Sequence, residues 1–138
     1  MIKKLMVIYK TDIIPDLKDI LELYNNSGYF PINNRLDIQR IKKMHDNANI
    51  VVTAWKGEKL IGLSRAISDF CYCCYLSDLC VHNEYKKKGI GHKLVELTKE
   101  KAGKECKLIL QSSPDAIEFY RKIGMKQIDS AFIIPREN

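Results

Sequence analysis

The residues best placed to do chemistry are concentrated in one turn. Tyr75-Leu76-Ser77-Asp78-Leu79-Cys80-Val81 reads as a strand, His82-Asn83-Glu84-Tyr85 leaves it, and Lys86-Lys87-Lys88-Gly89-Ile90-Gly91-His92-Lys93-Leu94 opens a helix. Gly89 and Gly91 can adopt φ > 0 and let the backbone approach a ligand, so successive N–H groups can converge on an anion. The helix dipole adds about half a positive charge at that point. A pyrophosphate suits this geometry. Two familiar phosphate devices fail the comparison. The Walker spacing Gly-x-x-x-x-Gly-Lys-Ser/Thr is absent, and the dinucleotide fingerprint would need a small residue at Leu94 and an acidic one near Gln111.

Other reactive side chains lie close by in sequence. If the strand alternates regularly, Tyr75, Ser77 and Leu79 share one face, and Asp78, Cys80 and His82 the other. Cys71-x-x-Cys74 followed by Cys80 and His82 invites a zinc reading, but Cys71 and Cys74 would point to opposite faces of an extended strand. No metal is expected. The five cysteines (Cys71, Cys73, Cys74, Cys80, Cys106) are odd in number and crowded, which fits free thiols in a reducing compartment better than a disulfide framework.

The positioning elements follow from hydrophobic periodicity. A strand is expected at Leu5–Tyr9 and a helix opening at Pro15-Asp16, with Leu17, Ile20, Leu21, Leu23 and Tyr24 at helical spacing, stopped by Asn25-Asn26-Ser27-Gly28. A loop with exposed aromatics (Tyr29 to Asn34) leads to a helix from Asp37 to about Asn47. Ile50–Trp55 and Leu60–Ile67 around Lys56-Gly57-Glu58-Lys59 read as a hairpin. Next come a long strand Cys71–Val81, a helix to about Gly103, a short strand Lys107–Gln111, a helix Pro114–Ile123 and a final strand Lys126–Ile134. The order β-α-α-β-β-β-α-β-α-β implies one mixed α/β sheet with helices on both faces.

The 138 residues suit one domain spanning 1–138, and 46% hydrophobic residues suffice for a core. No apolar run reaches a bilayer-spanning length, and Met1–Lys10 lacks a signal peptide's apolar stretch, so a cytoplasmic protein without membrane contacts is expected. The net charge of +6 calls for an anionic partner. Nucleic acid is disfavoured, because the lysines are interspersed with acidic residues and no aromatic-basic RNA-binding signature is present.

Lys86-x-x-Gly89-x-Gly91 resembles the pyrophosphate-binding Arg/Gln-x-x-Gly-x-Gly/Ala motif of the GCN5-related N-acetyltransferases (GNAT), with Lys86 in place of Gln or Arg. Ala116-Ile117-Glu118-Phe119-Tyr120-Arg121-Lys122-Ile123-Gly124-Met125 is similar to that family's Ala-x-x-Phe-Tyr-x-x-x-Gly-Phe, with Met125 for Phe. The likeness runs over roughly 50–134. It implies the acyl-CoA N-acyltransferase fold and acetyl-CoA as co-substrate, held by Lys86, Lys87, Lys88, Gly89, Ile90, Gly91, His92 and Lys93. It also implies backbone groups of Leu79, Cys80 and Val81 along the pantetheine arm, and Ser112 or Ser113 in place of a usual Asn.

Acetyl transfer from a thioester to an amine needs a neutral amine, yet an alkylammonium of pKa ~10.4 is deprotonated only about once in 2,500 molecules at pH 7. By resemblance, Tyr120 is the general acid at the sulfur and Phe119 packs toward the core. Relatives often carry Glu or His where Tyr75 or Ser77 stands. Tyr75-Leu76-Ser77-Asp78 is similar to the Tyr-Leu-Glu-Asp of polyamine acetyltransferases, which offers Asp78 as base or amine anchor, directly or through water. Tyr29, Phe30, Trp55 and Tyr72 offer aromatic walls. A small primary amine or polyamine is the first expected acceptor, a protein lysine or N-terminus the second. A CoA-binding module without catalysis and a homodimer both stay open.

Overall fold

The computed structural model describes residues 6–29 and 38–137. Leu5, Phe30 to Asn34 and Asp37, which figure in the expectations above, lie outside them. Five strands form one sheet in the order β1 (Ile8–Lys10), β2 (Ile50–Lys56), β3 (Lys59–Ser68), β4 (Cys73–Val81) and β5 (Lys107–Leu110). The first four are antiparallel neighbours and β5 lies parallel to β4. That switch is expected: β2–β4 are joined by short turns, whereas a helix intervenes before β5.

Helices cover both faces. α1 (Leu17–Ser27) ends where Gly28 turns left-handed at φ 69°, and α2 is Ile38–Asp46. Their Ile20, Leu23, Tyr24 and Ile41 pack on Val51, Trp55, Leu60, Leu63 and Cys80. α3 (Ile90–Ala102) covers the opposite face, where Ile90, Leu94, Val95 and Ala102 meet Ile50, Val52, Ala54, Ile61, Cys74 and Leu76. It sits close over the sheet because β3 has no side chain at Gly62: a Cβ there would lie 3.0 Å from Leu94 Cδ1 and 3.1 Å from Ile90 Cγ2. β2 is buried along both faces up to Trp55, which is why its sequence shows no alternation.

Two expectations are corrected. The helix at Pro114–Ile123 is a 3-10 turn (Pro114–Ala116) followed by a shorter α4 (Ile117–Lys122) with no fully buried residue. The final strand at Lys126–Ile134 is absent: residues 126–137 have no regular structure and are exposed throughout. A strand needs a partner, and no described segment pairs with this one.

Candidate active site

The site begins at a defect in β4. Opposite Arg65 stands Asp78, but opposite Ala66 stands Leu76, so Ser77 is an extra residue, a β-bulge. A bulge changes which face later residues occupy. Cys74 and Leu76 face α3, whereas beyond it Leu79 and Val81 pack toward α3 and Cys80 toward α1 and α2. The regular alternation expected from sequence is therefore broken, and Tyr75 shares a face with Asp78 and Cys80.

β5 leaves at the same point. Its last pair with β4 is Leu76↔Leu110, so Ser77–Val81 have β3 on one side and no strand on the other among the described residues. His82 donates its N–H to Ile61 O at 2.8 Å. By the two-residue period, Cys80 directs its backbone groups to β3, and Leu79 and Val81 direct theirs into the gap. Cys80 thus contributes neither backbone to the gap nor an exposed thiol, correcting its expected role. Burial pushes that thiol's pKa up, making it a poor nucleophile.

The gap leads to the start of α3. Lys87 and Gly89 are left-handed (φ 64° and 83°), and no side chain caps the helix. Lys93 N–H bonds Gly89 O at 3.1 Å, so the N–H groups of Ile90, Gly91 and His92 precede the first intrahelical bond. The two motif glycines have separate reasons. Gly89 needs its left-handed backbone and a Cβ there would touch nothing, whereas Gly91 lies within α3 and a Cβ would meet Phe119 Cζ at 3.0 Å. Positive φ, expected at both, applies only to Gly89. Lys86 also differs: its Nζ donates to Ser27 O at 3.1 Å, tying the turn to the end of α1. Lys87, Lys88, His92 and Lys93 are exposed around the helix start.

Phe119 on Gly91 brings α4 to the first turn of α3. The neighbouring Tyr120 is half-buried, lies edge-on to Phe119 at 5.0 Å, and its hydroxyl has no partner among the described residues. Burial raises its pKa, so it is protonated at neutral pH. After β5, Ser112 donates to Ser113 O at 2.7 Å, and Ser113 is exposed.

On the other face, Asp78 is enclosed. Its Oδ2 accepts from Arg65 Nε at 2.6 Å and Tyr24 at 2.8 Å, and its Oδ1 from Tyr29 at 3.0 Å, Arg65 at 3.1 Å and Ser77 at 3.3 Å. A carboxylate offers about four lone-pair positions, so none is left for an amine, and Arg65 compensates the charge. Burial alone would lower the Arg65 pKa, but Asp78 more than reverses this. Burial, then Asp78, pushes the Tyr24 and Tyr29 phenols up. Tyr24 also meets His45 Nε2 at 2.8 Å. Because the Tyr24 proton goes to Asp78, His45 carries its own on Nε2, leaving Nδ1 buried and unpaired. Burial and Arg65 lower the His45 pKa to about 4.

The expected aromatic walls do not assemble. Trp55 is buried under α1, Tyr72 is exposed at the far end of β4, and Tyr29 is engaged with Asp78 and Ser77 O. Sequence reading did not find Tyr24, His45 or Arg65. Its only available signal was a charged residue in the apolar run of β3.

A sheet whose parallel neighbours diverge beside an uncapped, glycine-led helix defines an acyl-CoA-dependent acyltransferase, and the chain matches the acetyltransferase (GNAT) domain model over residues 23–133. It belongs to that family and is an acetyltransferase, which implies acetyl-CoA as co-substrate. It is 25% identical over 139 aligned positions to the uncharacterized N-acetyltransferase ycf52 of Pyropia yezoensis, spanning 88% of this chain and 79% of that one. Among solved structures, it superposes on a Staphylococcus aureus protein described as a probable acetyltransferase with TM-score 0.76, at 24% identity, over 95% of this chain and 100% of that one. A GNAT family acetyltransferase of Streptococcus pneumoniae gives TM-score 0.71 at 23% identity, over 96% and 100%.

Proposed function

We propose that this chain acetylates a small primary amine by direct attack on the thioester of acetyl-CoA. The reading rests above all on the gap beside Leu79 and Val81, which leads to three unbonded amides at the start of α3. The pyrophosphate is held by the N–H groups of Ile90, Gly91 and His92, with Lys87, Lys88 and Lys93 adding charge. The pantetheine arm takes the backbone positions that β5 vacates, with Ser113 at its flank, and the Leu79 N–H donates to the thioester carbonyl as it becomes an oxyanion. The amine nitrogen bonds to the carbonyl carbon, the C–S bond breaks, and the ammonium proton is lost. Tyr120 donates a hydrogen bond to the departing sulfur. Its pKa lies above that of an ordinary thiol, so it stabilises the thiolate more by hydrogen bonding than by full proton transfer.

What weighs against a polyamine is the pairing of Asp78 with Arg65, which leaves β4 without net negative charge to hold a second ammonium. An acceptor with one cationic centre fits better, and Asp78 acts by positioning. In an acetyl-CoA-consumption screen, mono-amines and amino acids are expected to be turned over ahead of polyamines and peptides. Calorimetry is expected to show CoA binding by the wild type, and its absence would overturn the reading. Tyr120→Phe is expected to lower kcat by about 100-fold while leaving CoA affinity nearly unchanged. Full turnover by that variant would remove Tyr120 from the chemistry.

A further inference from the structure

Two unfinished parts of the chain match each other. The first is the outer edge of β5, whose Leu108, Ile109 and Leu110 are half-buried and which no described strand covers. An apolar edge strand left open is a template for another strand, and natural sheets rarely leave one bare. The second is the segment after α4. Ile128, Phe132 and Ile134 alternate onto one side of an extended chain, and Pro135 follows. Phe132 and Ile134 are each 96% exposed and Ile133 is 65% exposed.

From these observations we infer that the chain forms a homodimer in which residues 126–134 of each copy pair with the β5 edge of the other. The protomer does not bring its own tail to that edge. Gly124 N–H bonds Arg121 O and Met125 N–H bonds Tyr120 O, both at 3.0 Å, and Arg121 reaches Gln127 at 2.6 Å. These bonds hold the start of the tail against the last turn of α4, after which no backbone bond joins it to the described chain. Donor strand and acceptor edge belong to the same sequence, so one two-fold axis satisfies both at once. The area suffices. At ~150–200 Å² per large apolar side chain, the four exposed tail residues supply roughly 500 Å² per copy, hence about 1,000 Å² for the pair before the edges are counted, which reaches the range of stable interfaces. The same contact would flank α4, which has no fully buried residue of its own. Any effect on turnover depends on the Tyr120 reading above, whereas the molecular mass does not.

Sedimentation or light scattering of the full chain at tens of micromolar is expected to give twice the protomer mass. The double variant Phe132→Asp/Ile134→Asp, at positions that touch nothing in the protomer, is expected to run at the protomer mass with unchanged circular dichroism. Amides of Lys107–Leu110 that face away from β4 should exchange at least tenfold faster in the variant than in the wild type. A wild type of protomer mass would overturn the inference, including the case where its β5 amides are protected by its own tail. So would a dimer that survives the double substitution. CoA calorimetry on the same samples separates either failure from a failure of the acetyltransferase reading.

Discussion

The two halves of β4 differ in what borders them. From Cys73 to Leu76 the strand is bonded on both edges, to β3 and β5; from Ser77 to Val81 it keeps only β3. The extra residue at Ser77 accounts for both properties of the second half. It adds local twist where β5 departs, opening the gap, and it turns Asp78 and Cys80 toward α1 and α2, where the gap has a polar, closed backing. Substrate backbone is thus offered hydrogen-bonding groups on one side, while on the other every donor around Asp78 is already committed.

The largest disturbance of this contrast comes from its buried ion pair. Arg65→Ala leaves an uncompensated carboxylate beneath the second half and is expected to lower unfolding free energy by about 3–5 kcal/mol, read by urea titration. A loss below ~1 kcal/mol would mean that water reaches Asp78.

The next effect is a pH dependence. His45 has a folded pKa of about 4 against 6.5 unfolded, so the unfolded chain binds a proton first as pH falls. Its contribution is complete above pH 6.5, declines between pH 6.5 and about 4, and amounts to about 3 kcal/mol over that window. His45→Gln is expected to flatten that part of the stability profile. An unchanged slope would assign the acid sensitivity to other groups.

Smaller effects separate the two glycines at the open end of the gap. Gly89→Ala and Gly91→Ala should each weaken CoA binding about tenfold, roughly 1.4 kcal/mol. The first acts through a left-handed backbone that Asn tolerates better than Ala, so Gly89→Asn should lose less. The second acts through contact with Phe119, so Phe119→Ala should restore affinity to Gly91→Ala and not to Gly89→Ala.

Much of the fold was legible. The hairpin around Gly57, the end of α1 at Gly28, and the strand-turn-helix from β4 into α3 were all expected near their observed bounds, because turn residues and hydrophobic period act over a few neighbours. The phosphate-binding turn belongs to this group. The expected roles of Cys80, Lys86 and Asp78 changed, since each depends on a distant residue: Cys80 on the register with β3, Lys86 on the carbonyl of Ser27, and Asp78 on Arg65.

The sequence by itself determined the element order to α4, the anion-binding turn and the family resemblance, all carried by short spacings. Only the tertiary structure decided that Ser77 is a bulge, that Gly91 is small for Phe119 rather than for its backbone angle, and that 126–134 stays unpaired within one copy. Those outcomes come from pairing between segments far apart in the chain, and a strand-forming sequence does not itself specify which edge will receive it.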